Sequence, residues 1–368
     1  MASIAELNRH GQSIWLDYID RNLLDNGGLQ RLVDSGVSGV TTNPTIFHKA
    51  ITGSSDYDEA IRELLEQDHQ VGAVELCEAL MVADVQTAAD LLRPVFDRTG
   101  GHDGYVSLEV PPDLAHDEAR TVATAHRLRD AVERPNVMIK VPGTVEGVRA
   151  FEQLIADGFN INVTLLFAVT RYEEVVRAWA RGLARNRNPQ SIASVGSFFV
   201  SRVDSKVDKR LDALATPDAQ RLKGRIAIAN AKLAYRRFRE LMGEPDIARQ
   251  LERGARPQRP LWASTSTKNP AYRDVLYIES LIGPDTVNTV PPETLDAFLY
   301  HGEARYTLEQ DVDVAQRDVA ALAGLGIDFA VVTRELESEG VAAFRDSWDK
   351  LLASLKDKCF AVAKDFAG

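Results

Sequence analysis

Cysteine is scarce in this chain. Only Cys77 and Cys359 occur in 368 residues. That is too few for a disulfide framework, and they lack the paired spacing of a thiolate metal site. A reducing, cytoplasmic setting is the simpler expectation. Histidine is thin as well: seven residues lie apart, without ligand spacing. No structural or catalytic metal is therefore expected, and nothing asks for a cofactor. Long apolar runs are missing. No stretch approaches the ~20 residues that span a bilayer. Residues 1–7 carry no basic segment followed by an apolar one, so no secretory signal is expected either. An excess of positive charge is absent too. Forty-three basic residues face 54 acidic ones, for a net charge of −11, which argues against nucleic acid as a partner. No repeat, low-complexity block or flexible linker interrupts the chain.

What is present is core-forming material: 45% of the residues are hydrophobic. Length alone suggests two or three domains, but α/β barrels run long as one. Short apolar, β-rich runs fall at 13–17, 37–42, 105–110, 136–141, 160–165, 192–198, 260–264 and 286–290, with helical patterns between them. In 170–187, Tyr172, Val175, Val176, Trp179 and Leu183 share a helical face, and Thr170 with Glu173 reads as a capping box. Val148, Phe151, Leu154 and Ile155 mark another helix, closed by Gly158 near its C-cap. Eight strands alternating with helices predict an α/β fold, a (β/α)8 TIM barrel with additional helices, in one domain over 1–368. A doubly wound open sheet is the alternative. The charged insertion at about 205–259 reads as two helices. A C-terminal helix at about 338–364, with Val341, Phe344, Trp348, Leu351, Leu352 and Leu355 at helical spacing, is expected on the barrel exterior or over its mouth. That stripe reads as core. The arginines at 181, 185 and 187, and at 236, 237 and 239, read as solvated helix faces.

In a (β/α)8 barrel the chemistry sits at the C-terminal ends of the strands. Polar residues stand there in strand after strand: Asp17; Thr41, Thr42 and Asn43; Glu109; Lys140; Asn162 and Thr164; Ser197; Ser264. Lys140 lies among Met138, Ile139 and Val141. Burial disfavours a lysine's charged form, and a lysine so poised is a nucleophile for a carbonyl carbon. Taken locally, a strand-end lysine that snorkels to water is the better reading. Asp17 alone reads as a cap, and Glu109 as a surface acid before Pro111 and Pro112. The ring as a whole reverses that preference. An amine, two carboxylates, hydroxyls and amides are what Schiff-base catalysis needs. One carboxyl moves protons during imine formation and hydrolysis, and another takes a hydroxyl proton as a carbon–carbon bond breaks.

Six segments carry a resemblance to a known family: Trp15-Leu16-Asp17, Gly39-Val40-Thr41-Thr42-Asn43-Pro44-Thr45, Val106-Ser107-Leu108-Glu109-Val110, Met138-Ile139-Lys140-Val141-Pro142-Gly143-Thr144, Asn160-Ile161-Asn162-Val163-Thr164-Leu165-Leu166-Phe167 and Ser197-Phe198-Phe199-Val200-Ser201-Arg202-Val203-Asp204. In this order, from about Ser13 to Pro292, the chain resembles the transaldolases. Its length is similar to a bacterial subgroup with extra helices. The resemblance implies a class I aldolase barrel with circularly permuted strand order. It also implies transfer of a dihydroxyacetone unit from a ketose phosphate (sedoheptulose 7-phosphate or fructose 6-phosphate) to an aldose phosphate (glyceraldehyde 3-phosphate or erythrose 4-phosphate) in the non-oxidative pentose phosphate pathway. Carried over by position, Lys140 is the Schiff-base lysine and Asp17 takes the proton in carbon–carbon cleavage. Glu109 works through a water held with Thr164. Asn43 and Asn162 meet substrate hydroxyls, Ser197, Arg202 and a basic residue after the seventh strand hold the phosphate, and Phe199 and Ser264 also line the substrate site.

The chain departs from the family at that end. Phe198 and Ser201 stand where the family often has Pro and Gly, and Ala263-Ser264-Thr265-Ser266-Thr267-Lys268 replaces an Ala-Ser-x-Arg run, making Lys268 the displaced candidate. The neighbouring alternative is a fructose-6-phosphate aldolase-like lyase that releases free dihydroxyacetone. Such relatives are shorter and typically carry Gln at the Glu109 position and Tyr at the Phe199 position, so both residues here favour the transferase. More distant alternatives are a sugar-phosphate isomerase, with Glu109 as base and Lys140 only as a cation, and a silent sugar-phosphate binder. Expected partners are small sugar phosphates, with the protein a monomer or homodimer.

Overall fold

A computed structural model describes residues 3–365. Eight parallel strands close into a barrel: β1 Gln12–Leu16, β2 Gly39–Thr41, β3 Tyr105–Glu109, β4 Val137–Pro142, β5 Ile161–Leu166, β6 Ser194–Phe199, β7 Arg259–Ala263 and β8 Thr286–Val290. The open sheet is excluded, because β1 pairs with β8 along its whole length, from Gln12↔Thr286 to Leu16↔Val290. Neighbours follow chain order around the ring. A permuted entry point leaves that order unchanged. Every strand is buried from end to end. Strands covered on both faces read as nearly continuous apolar runs, which is why Val-Met-Ile-Lys-Val-Pro forms β4 despite its lysine.

The N-terminal end of the barrel is closed by a buried polar cluster. Asp103 accepts hydrogen bonds from Trp15 Nε1 at 2.6 Å and from Ser13 Oγ, and lies 3.6 Å from the Arg259 guanidinium. A charge this deep persists only when paired and hydrogen-bonded. Above it, the Trp15 ring packs on Gly39, where an added Cβ would fall 2.5 Å from the ring.

Local sequence accounts for most helices and corrects several expectations. Thr144 caps the helix Val145–Ala156 through Gly147 N, and Gly158 follows it at φ +89°. The helix Val169–Arg185 buries the expected face, but its N-cap is Ala168 with no side-chain cap. Thr170 lies inside the first turn. Glu173 is drawn away to Arg177 and Arg237, each 2.7 Å off, and that pairing holds its carboxyl down at about 2. The segment expected to form two helices forms four: Ser201–Leu214, Pro217–Leu222, Ile226–Met242 and Pro245–Glu252. Each proline begins a helix, its missing N–H harmless there, and Gly224 at φ +69° turns the chain into the third.

The C-terminal helix runs Phe329–Asp365, starting well before the expected 338. Asp328 sets that start by accepting from Ala330 N at 2.9 Å and Val331 N at 3.2 Å. Val332, Leu336, Phe344, Trp348, Leu351 and Leu355 are its buried stripe. The stripe packs on the helix Pro44–Gly53 and on the end of β5, so the helix lies over the mouth. No described helix is long and apolar enough to cross a membrane.

Candidate active site

Register fixes the centre of the site. Glu109 on β3 pairs with Lys140 on β4, and Lys140 pairs with Asn162 on β5. Residues level with one another on parallel neighbours point to the same face, so one row across three strands places a carboxylate, an amine and an amide inside the barrel. Two residues further along β5, Thr164 stands level with Pro142.

Lys140 is 4% exposed. Its Nζ donates to Thr42 O at 3.1 Å and lies 3.2 Å from Glu109 Oε2. Among the described residues, Thr164 Oγ1 is buried without a hydrogen-bond partner, and Glu109 Oε2 has only the Lys140 amine beside it. Buried oxygens are rarely left so. Beneath the amine, Asn162 donates to Ser107 Oγ at 3.1 Å and accepts from Ser197 Oγ at 2.7 Å. This chain of side chains ties β3, β5 and β6 together under Lys140.

Asp17 follows β1 and is half-buried. Thr41 Oγ1 donates to Asp17 Oδ1 at 2.7 Å and lies 2.6 Å from Thr289 Oγ1. Since Thr41 has one hydroxyl proton, Thr289 is the donor to Thr41. Burial raises the pKa of both Asp17 and Glu109. The Lys140 charge is the largest opposing influence on each. Burial also lowers that of Arg202, which nonetheless stays charged.

A cavity of about 380 Å³ opens at the C-terminal ends of the strands. Asp17, Asn43, Lys140, Ser197, Phe199, Arg202, Ser264 and Lys268 all line it. Glu109, Thr164 and Asn162 are absent from that lining; Glu109 lies beside the lysine, and Asn162 stands level with it on β5, two residues before Thr164. Asn43 caps the helix Pro44–Gly53 by accepting from Ile46 N at 3.0 Å, and its amide nitrogen has no partner among the described residues. The Arg202 guanidinium packs 5.0 Å from the Phe199 ring centre. Ser264, at φ +57°, turns its hydroxyl to Ser201, 2.9 Å away. Lys268 is exposed at the rim, donating to Ser266 Oγ at 2.6 Å.

Sequence reasoning named no site role for Tyr18, Lys49, Ser266 or Phe344, which also line the cavity. Ser266 follows from the shifted Ser-Thr-Ser-Thr run. Lys49 was within reach of a helical count from Asn43. Phe344 gave only a core signal.

The family described as Transaldolase/Fructose-6-phosphate aldolase matches residues 14–355. The chain belongs to the transaldolase/fructose-6-phosphate aldolase family. Among similar members, a "Transaldolase" of Frankia alni is 47% identical over 96% of both chains. One of Acidothermus cellulolyticus is 48% identical over 96% of this chain and 95% of its own. One of Thiobacillus denitrificans is 45% identical over 95% of this chain and 98% of its own. Members of this family are enzymes, and the barrel mouth with its buried lysine is the part of the fold equipped for chemistry.

Proposed function

We propose that this chain is a transaldolase, a transferase that moves a dihydroxyacetone unit between sugar phosphates through a Schiff base on Lys140. The observation that carries the reading is the buried Lys140 amine, 3.2 Å from Glu109 and on the same cavity as Asp17. The full-length relatives named transaldolase support it.

In this reading the neutral amine adds to C2 of a ketose phosphate such as fructose 6-phosphate or sedoheptulose 7-phosphate. Glu109, working through a water held with Thr164, supplies the proton that lets the carbinolamine lose water. Its burial-raised pKa suits a group that must both give and take a proton. Asp17 then removes the proton of the C4 hydroxyl, the C3–C4 bond breaks, and the aldose phosphate leaves. The enamine left on Lys140 attacks the aldehyde of a second aldose phosphate, glyceraldehyde 3-phosphate or erythrose 4-phosphate. Hydrolysis of the new iminium restores the amine. Asn43 faces the substrate hydroxyls and Asn162 supports the lysine from below. Arg202, with its planar fork, and Lys268, as a point charge, serve the phosphate together with Ser197, while Ser264 and Phe199 line the substrate site. The setting is the non-oxidative pentose phosphate pathway, in the cytoplasm.

The test is mass spectrometry after borohydride reduction in the presence of fructose 6-phosphate. One three-carbon adduct is expected, on Lys140. Lys140→Arg keeps the charge but cannot condense, so turnover vanishes while sugar-phosphate binding persists. Ordinary turnover in that variant would overturn the assignment.

A further inference from the structure

Phe344 stands outside the barrel, on the helix Phe329–Asp365, yet its ring faces two cations of the site. The ring centre lies 5.8 Å from Lys140 Nζ and 5.7 Å from Arg202 Cζ. The side chain is 5% exposed and lines the cavity. The helix that carries it is pinned on both sides of the mouth. Thr45 Oγ1 donates to Ser347 Oγ at 2.9 Å, Lys206 pairs with Glu335 at 2.8 Å, and Lys358 pairs with Asp58 at 2.8 Å. One turn before Phe344, Gly340 lets the helix backbone settle on β5. A Cβ there would fall 2.9 Å from Leu165 Cδ2, and Leu165 itself sits at φ +62° where the β5 pairing is irregular.

We infer that Phe344 decides how the three-carbon adduct on Lys140 is discharged, favouring transfer to an aldehyde over release by water. The inference rests on the transaldolase reading above. The enamine has two fates. In transfer, its C3 forms a bond to the aldehyde carbon, the aldehyde oxygen takes a proton, and one water then cleaves the C2–N bond of the enlarged iminium. In release, C3 takes a proton instead, one water adds at C2, the C2–N bond breaks, and dihydroxyacetone departs with the amine restored. Both fates end with water at C2, so they part at C3: release needs a solvent proton at C3 while the acceptor half of the cavity is empty. An aromatic ring held over Nζ narrows solvent's path to the adduct and faces its iminium charge. The same ring packs on Arg202, so an acceptor phosphate binds to a cation already in register with the cover.

The experiment measures release of dihydroxyacetone from fructose 6-phosphate without acceptor, and transfer with erythrose 4-phosphate present. The borohydride adduct on Lys140 is recorded in parallel. In Phe344→Ala the ratio of release to transfer rises about tenfold. Phe344→Leu keeps an apolar cover and gives a smaller rise. Gly340→Ala, which lifts the helix off Leu165, shifts the ratio in the same direction. A normal adduct with the wild-type ratio in both Phe344 variants overturns this inference alone, as does an equal fall in release and transfer, which would make Phe344 mere packing. Absence of an adduct in the unaltered protein overturns the function assigned above.

Discussion

Glu109 and Lys140 occupy paired positions on neighbouring strands, with Oε2 3.2 Å from Nζ. The carboxylate is close enough to feel the ammonium charge, and the amine is the only polar group found beside that oxygen among the described residues. Burial and the ammonium pull its pKa in opposite directions, and burial wins. A group so placed can hand a proton to an atom attached to the amine.

Glu109→Gln keeps the volume and loses the proton. If Glu109 works as read, kcat drops about a hundredfold or more, and the borohydride-trapped adduct accumulates more slowly. Rapid-quench measurement of adduct formation checks this. An unchanged adduct rate would remove Glu109 from imine formation.

The pH profile follows from the raised carboxyls. Asp17 acts as a base in cleavage, so it must be ionised, and burial lifts its pKa above 3.8. The acidic limb of kcat is therefore expected at higher pH than an ordinary aspartate would give. Asp17→Asn abolishes cleavage while still permitting the first adduct. Measuring kcat against pH, alongside six-carbon and three-carbon adducts by mass, tests both points.

Asp204 supplies a stability test away from the amine. It accepts from Ala227 N at 2.7 Å and from Tyr277 OH at 2.9 Å, and burial pushes it up to about 7 from 3.8. Between those values the folded state holds a proton that the unfolded chain has lost, so stability falls as pH rises through this window. Below the window the penalty is absent, and above about 7 it is complete. Asp204→Asn keeps an acceptor and cannot ionise, so its advantage over wild type should grow by a few kcal/mol between acid and neutral pH. Denaturant melts at pH 5 and pH 8 measure the difference.

Arg202→Lys separates geometry from charge. An ammonium keeps the sign but loses the planar fork and the stacking on Phe199 and Phe344. KM for fructose 6-phosphate should rise about tenfold or more, while KM for unphosphorylated dihydroxyacetone stays level. Lys268→Ala, at the exposed rim, should change KM only a few-fold, and less in high salt. The reverse ranking would move the phosphate to the Lys268 side.

Gly39→Ala probes the barrel floor. The new methyl would meet the Trp15 ring, itself held by Asp103. Overpacking of this kind costs about 1–3 kcal/mol. The expected outcome is a lower Tm with the Lys140 adduct still forming, since the amine lies at the other end of the barrel.

Much of this architecture was open to reading from residues alone. Strands covered on both faces leave continuous apolar runs, so all eight could be placed, and the strand-end rule gathered the polar residues that the structure brings to one mouth. What escaped depends on surroundings that spacing does not encode. The capping pattern at Thr170 and Glu173 is real as text, but Arg177 and Arg237 outbid the backbone for the carboxylate. The stretch 205–259 is apolar-periodic across breaks that Pro217, Gly224 and Pro245 impose. Phe344 sat in a buried stripe, and periodicity says that such a residue is covered without saying by what. The bonds of the Asn162 amide to Ser107 and Ser197 are likewise invisible to spacing.

Thr41 and Thr289, whose hydroxyls touch above Asp17, are 248 positions apart along the chain. During translation the carboxylate emerges early, yet the donor that aims it through Thr41 arrives only with the last strand. The hydrogen-bonded setting of Asp17 is therefore complete only once β8 has closed the ring onto β1, a long-range contact of the kind that forms slowly.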